Sequence, residues 1–381
     1  EQLLFYDEHT YGAAESISDP LAENTMVQWG EKSSYAWEAV KTSGLLREEA
    51  WGLLQGMVPR TEQSTIAVFN TLNWKRSGLI EVFIDHEILP LNTEYRIVDC
   101  EEGSEIPAQA LRSRSEGTYW AIWAKNVPAL GYKVYRIETG KSKTETPLPV
   151  KEDATRLENR FYTLVLDPQT GAVISLVDRE TQKELVDASG KWKIGQLIYE
   201  TLNAKDREFA LDAFQRTTLQ SCQIQTGAQG PIWQSVVLTG EMDGCAKPNG
   251  IRCEIRLYET EKRIELLFSI RKNPITDPEA VYVAFPFNQA NGKIVYEAQG
   301  GVVQPGTDQI PRSSSDWQTV QNYVSIRNEE GQIVLVSDQV PLVQFGDINL
   351  GKWQESVKIE KPSVFSWVMN NYWFTNFRAS Q

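Results

Sequence analysis

The sequence predicts a mainly β protein: one helical segment at the N-terminus, followed by strands whose larger part forms an extensive antiparallel β-sandwich. Three observations carry this. Apolar residues spaced three and four apart are confined to the first sixty positions, and from about residue 64 the apolar period becomes two. The later strand-like runs are separated by Gly, Pro, Asn and Asp turns, with no helix interleaved.

Leu46, Ala50, Leu53, Leu54 and Met57 recur at i, i+4, i+7, i+8 and i+11, and Ala36, Trp37, Ala39 and Val40 continue the face upstream until Pro59 stops it. Residues 21–57 therefore read as helix, with a stripe suited to packing in a bundle, and residues 1–60 as a first unit. In 79–85, Ile80, Val82 and Ile84 alternate with Glu81, Phe83 and Asp85. Runs 66–72, 119–125 and 131–138 complete a small β domain over 61–150, whose final stretch, 141–150, is rich in Lys, Thr and Pro and reads as a linker. The third unit, 151–381, starts with a hairpin: 161–167 and 172–178 flank the turn Asp167, Pro168, Gln169, Thr170, Gly171. Alternation is cleanest in 251–259, where Ile251, Cys253, Ile255 and Leu257 face one way and Arg252, Glu254 and Arg256 the other, with 263–270 as the antiparallel partner. Runs 280–287, 323–327, 332–336 and 342–345 extend the sheets.

With 381 residues and 41% hydrophobic content, sizeable cores are affordable. The balance of 38 basic against 51 acidic residues, a formal −13, opposes nonspecific binding to nucleic acid or anionic lipid. No run of 18 apolar residues exists, so no membrane partner is expected, and cytoplasm and periplasm both stay open as compartments. The chain starts at Glu1 and Gln2 rather than methionine and runs straight into folded-looking sequence, so it is expected to be part of something longer. Cys100, Cys222, Cys245 and Cys253 show no C-x-x-C spacing. Cys245 and Cys253 could bridge, but buried free thiols are the expectation.

Histidine is scarce: His9 and His86 are the only two. Walker, G-x-G-x-x-G, G-x-S-x-G and H-E-x-x-H patterns are missing, and with no histidine after residue 86 the large β unit cannot hold a Ser-His-Asp triad of its own. No catalytic residue is assigned within the chain. Asp7, Glu8, His9, Thr10 and Tyr11 before Gly12 make a donor set that suits a metal or a sugar, set against a helix start in which Asp7 caps amides. His86, between Asp85 and Glu87, reads as a solvated turn. Of twelve tryptophans, Trp120 and Trp123 lie in strand-like runs and are expected in a core. Trp317, in a loop after Pro311, Arg312 and three serines, is the better candidate for sugar contact at the surface.

Several stretches together resemble the C-terminal half of the glycoside hydrolase family 38 α-mannosidases. They are Ala67, Val68, Phe69, Asn70, Thr71, Leu72, Asn73, Trp74; then Leu157, Glu158, Asn159, Arg160, Phe161, Tyr162, leading to Gly171 and to Glu184, Leu185, Val186. Glu279 to Phe287 and the terminal Asn370, Asn371, Tyr372, Trp373, Phe374, Thr375, Asn376, Phe377 match in the same way, so nearly the whole chain is covered. The resemblance implies a helical-bundle remnant, a small β domain and a large supersandwich similar to that of galactose mutarotase. It also implies an upstream catalytic barrel with a zinc-ligating His-x-Asp pair and the aspartate nucleophile of a retaining mechanism. In such an enzyme zinc holds two adjacent mannose hydroxyls while one carboxylate attacks the anomeric carbon and another protonates the leaving oxygen.

His9 occupies the place of the family's last zinc ligand, although many members carry His-His-Asp before Gly-Thr where this chain has Glu8, His9, Thr10, Tyr11, Gly12. One histidine beside a carboxylate does not close a four-coordinate site, so zinc is expected in the longer parent enzyme and no metal on this chain alone. The implied partners are mannose-containing glycans and the catalytic domain of the same protein. The Gly-, Pro- and Ser-rich loop 300–317 is the element expected to reach toward that active site, with Asp308, Arg312 and Trp317 as substrate-binding candidates. Two other readings compete: a stand-alone carbohydrate-binding module with an exposed aromatic platform, and an interaction domain whose helical face covers a partner; a mutarotase-like epimerase is a more distant third, weakened by the histidine count.

Overall fold

Every residue is described by the computed structural model except 8–14, 17, 143–152, 204–212, 314, 353 and 373–381. Helix and sheet divide where the sequence period changes. Helix α1 spans Gln2–Tyr6 and α2 spans Glu23–Gln55, and these are the only α-helices among the described residues. The helix expected over 21–57 is thus present, but the bundle expected around it is not formed by the described residues. Thr25 is the one buried residue of α2, its hydroxyl donating to the Asp19 carbonyl at 3.1 Å. At 3.6 residues per turn Met26, Trp37 and Trp51 fall on one side and Leu46 and Leu53 on roughly the opposite side, and all five are exposed. The single stripe read from the sequence is therefore one of two. Helix α1 lies on α2 through Phe5 stacked on Tyr35 at 5.6 Å, and Trp51 meets Phe69 edge-on at 5.3 Å, tying the helix end to the first sheet.

That sheet has four strands, in the order Thr65–Asn70, Gly131–Thr139, Tyr95–Asp99, Glu105–Ile106; a three-stranded sheet, Arg76–Asp85, Gly117–Val127, Ala108–Ser113, faces it. Val68, Ile97, Ile106, Ile122, Val127 and Tyr135 form the core between them. Trp123 is buried, as its position in a strand suggested, and Trp120 is half-buried. The stretch read as a linker lies outside the described residues from 143 onward.

The remaining strands build four sheets. The hairpin is present, Tyr162–Leu166 against Val173–Asp178, with Gly171 at φ +69° in the turn, where a Cβ would also collide with Leu238. Ile251–Tyr258 pairs with Ile264–Ile270, Ile255 opposite Leu266, in a sheet ordered Ser221–Gln229, Trp233–Glu241, Ile251–Tyr258, Ile264–Ile270. Gly301–Val303, Lys293–Ala298, Tyr323–Asn328 and Gly331–Val336 form another.

At the centre is a six-stranded sheet in the order Phe214–Thr217, Gln196–Leu202, Glu279–Pro286, Ser363–Asn370, Leu342–Phe345, Gln318–Thr319. All eight residues of Glu279–Pro286 are buried, because both of its faces are covered. Val281, Val283 and Phe285 enter the main core, while Ala280, Tyr282 and Ala284 enter a second cluster with Ile348, Leu350 and Trp367. The small and large β parts meet through Ala121 and Trp123 against Ile232, Trp233 and Tyr258. There Gln109 Oε1 accepts the backbone N–H groups of Ile232 and Trp233, both at 3.2 Å, and Gly230 leaves room for that side chain. All four cysteines are free thiols, Cys245 and Cys253 buried. Burial raises the Cys253 thiol far above its ordinary range, so it is chemically inert.

Candidate functional site

The loop between strands Gly301–Val303 and Gln318–Thr319 is built from two turns. In the first, the Gln304 carbonyl accepts N–H bonds from Thr307 and Asp308 at 3.1 Å, and Asp308 Oδ2 accepts the Gln304 N–H at 2.7 Å. Asp308 thus closes a turn on its own backbone. In the second, Ser313 N donates to the Ile310 carbonyl at 3.0 Å, with Arg312 between them at φ +68°. A long side chain in the left-handed region is strained, and among the described residues asparagines hold four of the seven positive-φ non-glycine positions, Asn92, Asn126, Asn249 and Asn291.

Trp317 is only partly exposed. It is half-buried and packs edge-on against Trp367, with centroids 5.6 Å apart, and Trp367 in turn stacks on Tyr282 at 5.9 Å. Next to it the Asp316 carboxyl is buried, and burial lifts its pKa above the usual carboxylate range against the pull of Lys352. Gln318 fixes the loop's base, its Oε1 accepting Tyr296 OH at 2.9 Å and Gln309 Nε2 at 3.1 Å.

Above this base opens a cleft of about 300 Å³. Of the three residues singled out from the sequence, Arg312 lines it, whereas Asp308 and Trp317 do not. Its opposite wall is Glu355 and Ser356, from a loop some forty residues later, with Glu355 Oε1 3.7 Å from Arg312 Nε. Nothing in the sequence pairs those two segments. Ser315, also on the wall, was legible only as one serine of a loop.

His9 lies outside the described residues. Among the described residues no three His, Cys, Asp or Glu side chains converge on a point where a metal could sit. His86 is in a turn after strand Arg76–Asp85, its Nε2 3.1 Å from Thr118 Oγ1. Among the described residues the exposed tryptophans are Trp29, Trp37 and Trp51 on α2, and Trp74, so no strand carries an exposed tryptophan; the exposed aromatic on a sheet is Phe83, paired with the half-buried Tyr119 at 5.0 Å.

The motifs that carry the family resemblance are clasps. Asn70 Nδ2 donates to the carbonyls of Trp74, Val127 and Pro128, and its Oδ1 accepts Leu72 N–H. Asn159 Oδ1 accepts the amides of Phe161 and Tyr162 while Nδ2 reaches the Tyr258 carbonyl, 99 residues away, at 2.6 Å. Asn371 ties the last strand to the carbonyls of Ile275 and Asp277. All three are buried, where an unmet amide is costly, and their hydrogen bonds hold the chain path.

Comparison with known proteins decides the lineage of this part of the chain: residues 157–341 match the model of the glycosyl hydrolases family 38 C-terminal domain. The chain carries a glycosyl hydrolase family 38 C-terminal domain. The match starts at Leu157, where the Asn159 clasp motif begins. Among solved structures, the chain is similar to an α-mannosidase from Enterococcus faecalis V583, with 13% identity, a TM-score of 0.60, and coverage of 91% of this chain and 44% of that one. It is also similar to a glycosyl hydrolase family 38 protein from Enterococcus faecalis, with 13% identity, a TM-score of 0.61, and coverage of 92% and 46%. At that identity the likeness is one of fold: a mainly β, glycosyl hydrolase family 38-type architecture with a helical N-terminal segment. The chain spans less than half the length of these structures. No curated protein sequence matches it.

Proposed function

We propose that this chain is the C-terminal, non-catalytic portion of a longer retaining glycoside hydrolase of the α-mannosidase type that acts on mannose-containing glycans. In this reading residues 1–60 adjoin the catalytic domain of the same protein, 61–150 form a small β domain, and 151–381 form the supersandwich that scaffolds the enzyme and lends the 304–317 loop to substrate binding. The family's zinc and its two carboxylates belong to that catalytic domain, with His9 at the edge of the metal site.

The observation that supports this best is α2. Its large apolar side chains are exposed on two sides, Trp37 by 73% and Leu53 by 72%, and such surface marks a contact with another body. A carbohydrate-binding module has no use for it. Trp37→Glu is expected to leave the stability of this chain within about 0.5 kcal/mol of the wild type, because the indole is exposed. The same change is expected to weaken association with the catalytic domain at least about tenfold, the effect of losing a buried aromatic anchor. Titration calorimetry between the two purified parts reads this; unchanged association would contradict a docking role for this face.

A further inference from the structure

We infer that the cleft between the 306–315 and 355–356 segments is a subsite for one neutral hexopyranose ring, held by a set of hydroxyl groups and the Arg312 guanidinium. The inference rests on reading this loop as substrate-binding surface and specifies the ligand.

The wall carries the hydroxyls of Thr307, Ser313, Ser315 and Ser356. Ser315 is 6% exposed, yet its Oγ has no hydrogen-bond partner among the described residues, an omission that costs stability unless something enters the cleft to fill it. The hydroxyls of Ser313 and Ser356 have no side-chain hydrogen bond among the described residues, and that of Thr307 accepts from Gln304 Nε2 at 3.1 Å and keeps its proton to donate. Hydroxyls that both give and accept match a polyol, whose hydroxyls do the same.

Charge narrows the class. Arg312 and Glu355 face each other across the rim at 3.7 Å, both more than four-fifths exposed, so the mouth has no net sign to draw an anion or a cation. Ile310 and Pro311 add a short apolar strip for the C–H face of a sugar. A volume of about 300 Å³ lies at the lower end for small-molecule pockets and suits a single ring better than a chain. Arg312 sits at φ +68°, where glycine is free of strain, so exchanging it for glycine removes the guanidinium without straining the backbone.

The test is titration calorimetry of the whole 381-residue chain with methyl α-D-mannopyranoside, with sodium sulfate as the second probe. The expected result is a dissociation constant on the order of 1 mM, ordinary for a ligand of this size. Binding should weaken at least about tenfold in Ser315→Val, which fills the buried end of the cleft, and in Arg312→Gly, which relieves the backbone and keeps or raises the melting temperature. Equal affinity in the wild type and both variants would overturn the proposal by placing the sugar elsewhere, and so would binding of sulfate without response to the sugar. A chain that ignores the sugar yet still supports mannosidase activity when joined to its catalytic domain would sink the subsite and leave the proposed function standing.

Discussion

Lys133→Ala is expected to destabilise the small β part by about 3–5 kcal/mol, the cost of removing one partner from a buried ion pair. Lys133 lies on strand Gly131–Thr139 and is 3% exposed; its Nζ sits 2.5 Å from Asp99 Oδ2, which is 1% exposed, and 3.2 Å from Glu102 Oε1. Asp99 also caps its own turn by accepting the N–H of Glu101 at 2.9 Å. Burial alone would push the Asp99 carboxyl up, but the Lys133 ammonium and these amides together bring it below its ordinary value. Burial opposes the Lys133 charge too, and its carboxylate partners override that and raise its pKa. A lowered carboxyl contributes stability that is complete above the ordinary Asp range and fades as pH falls through its folded value. A raised lysine contributes stability that is complete below the ordinary Lys range and fades as pH rises through its folded value. The pair therefore holds across the whole neutral range, and urea unfolding followed by circular dichroism at pH 7 should show the full loss. Lys133→Met, which keeps the stem but strands Asp99, should lose nearly as much. A loss under about 1 kcal/mol in both variants would mean the pair is dispensable.

Glu200→Ala is expected to cost about as much, roughly 3–5 kcal/mol, in the large β part. Glu200 is fully buried on strand Gln196–Leu202, where it pairs with Arg216 and accepts Tyr282 OH at 3.1 Å and Tyr372 OH at 2.9 Å. Burial, reinforced by the Glu200 charge, drives both phenols well above their usual range, so they remain donors at any working pH. Removing the carboxylate would take the shared acceptor from two buried hydroxyls and the guanidinium, leaving Tyr372 OH with the Glu200 carbonyl at 3.4 Å and Tyr282 OH with only the Gln344 amide, which donates to it at 3.3 Å. Glu200→Gln keeps an acceptor but not the charge, and about half the loss is expected of it. The same unfolding measurement, read by tryptophan fluorescence because Trp367 stacks on Tyr282, separates the variants. Equal, small losses would show that Arg216 and the tyrosines find solvent when the site opens.

Much of the fold was legible because burial leaves a rhythm. Ile251–Tyr258 alternates since one face meets the core and the other carries Arg252, Glu254 and Arg256, and Glu279–Pro286 reads as one apolar run since both faces are covered. Other strands hide theirs. Trp233–Glu241 carries Gln234 and Ser235, polar yet 1% and 0% exposed; Gln234 is acceptable there because its Nε2 donates to the Glu158 carbonyl at 2.7 Å and to Glu259 Oε1 at 2.8 Å. Ser221–Gln229 lies at a sheet edge and is polar throughout much of its length. Strands that owe their place to side-chain hydrogen bonds give no period-two signal.

The site was legible only in part for a related reason. A Gly-, Pro- and Ser-rich loop announces irregular backbone, which brought Arg312 forward, but the sequence cannot show that Trp317 turns inward onto Trp367 or that Glu355 and Ser356 come up from another loop. The asparagine motifs identified the lineage while concealing that Asn70, Asn159 and Asn371 serve the backbone.

The central claim, that this chain supports a mannosidase without being one, is tested most directly by turnover of p-nitrophenyl α-D-mannopyranoside, with and without added zinc, by the purified chain and by the same chain joined to its upstream catalytic domain. The account predicts no hydrolysis above the uncatalysed rate from the chain alone, and zinc-dependent hydrolysis from the joined protein. Turnover by the chain alone, abolished by no change outside it, would contradict the account.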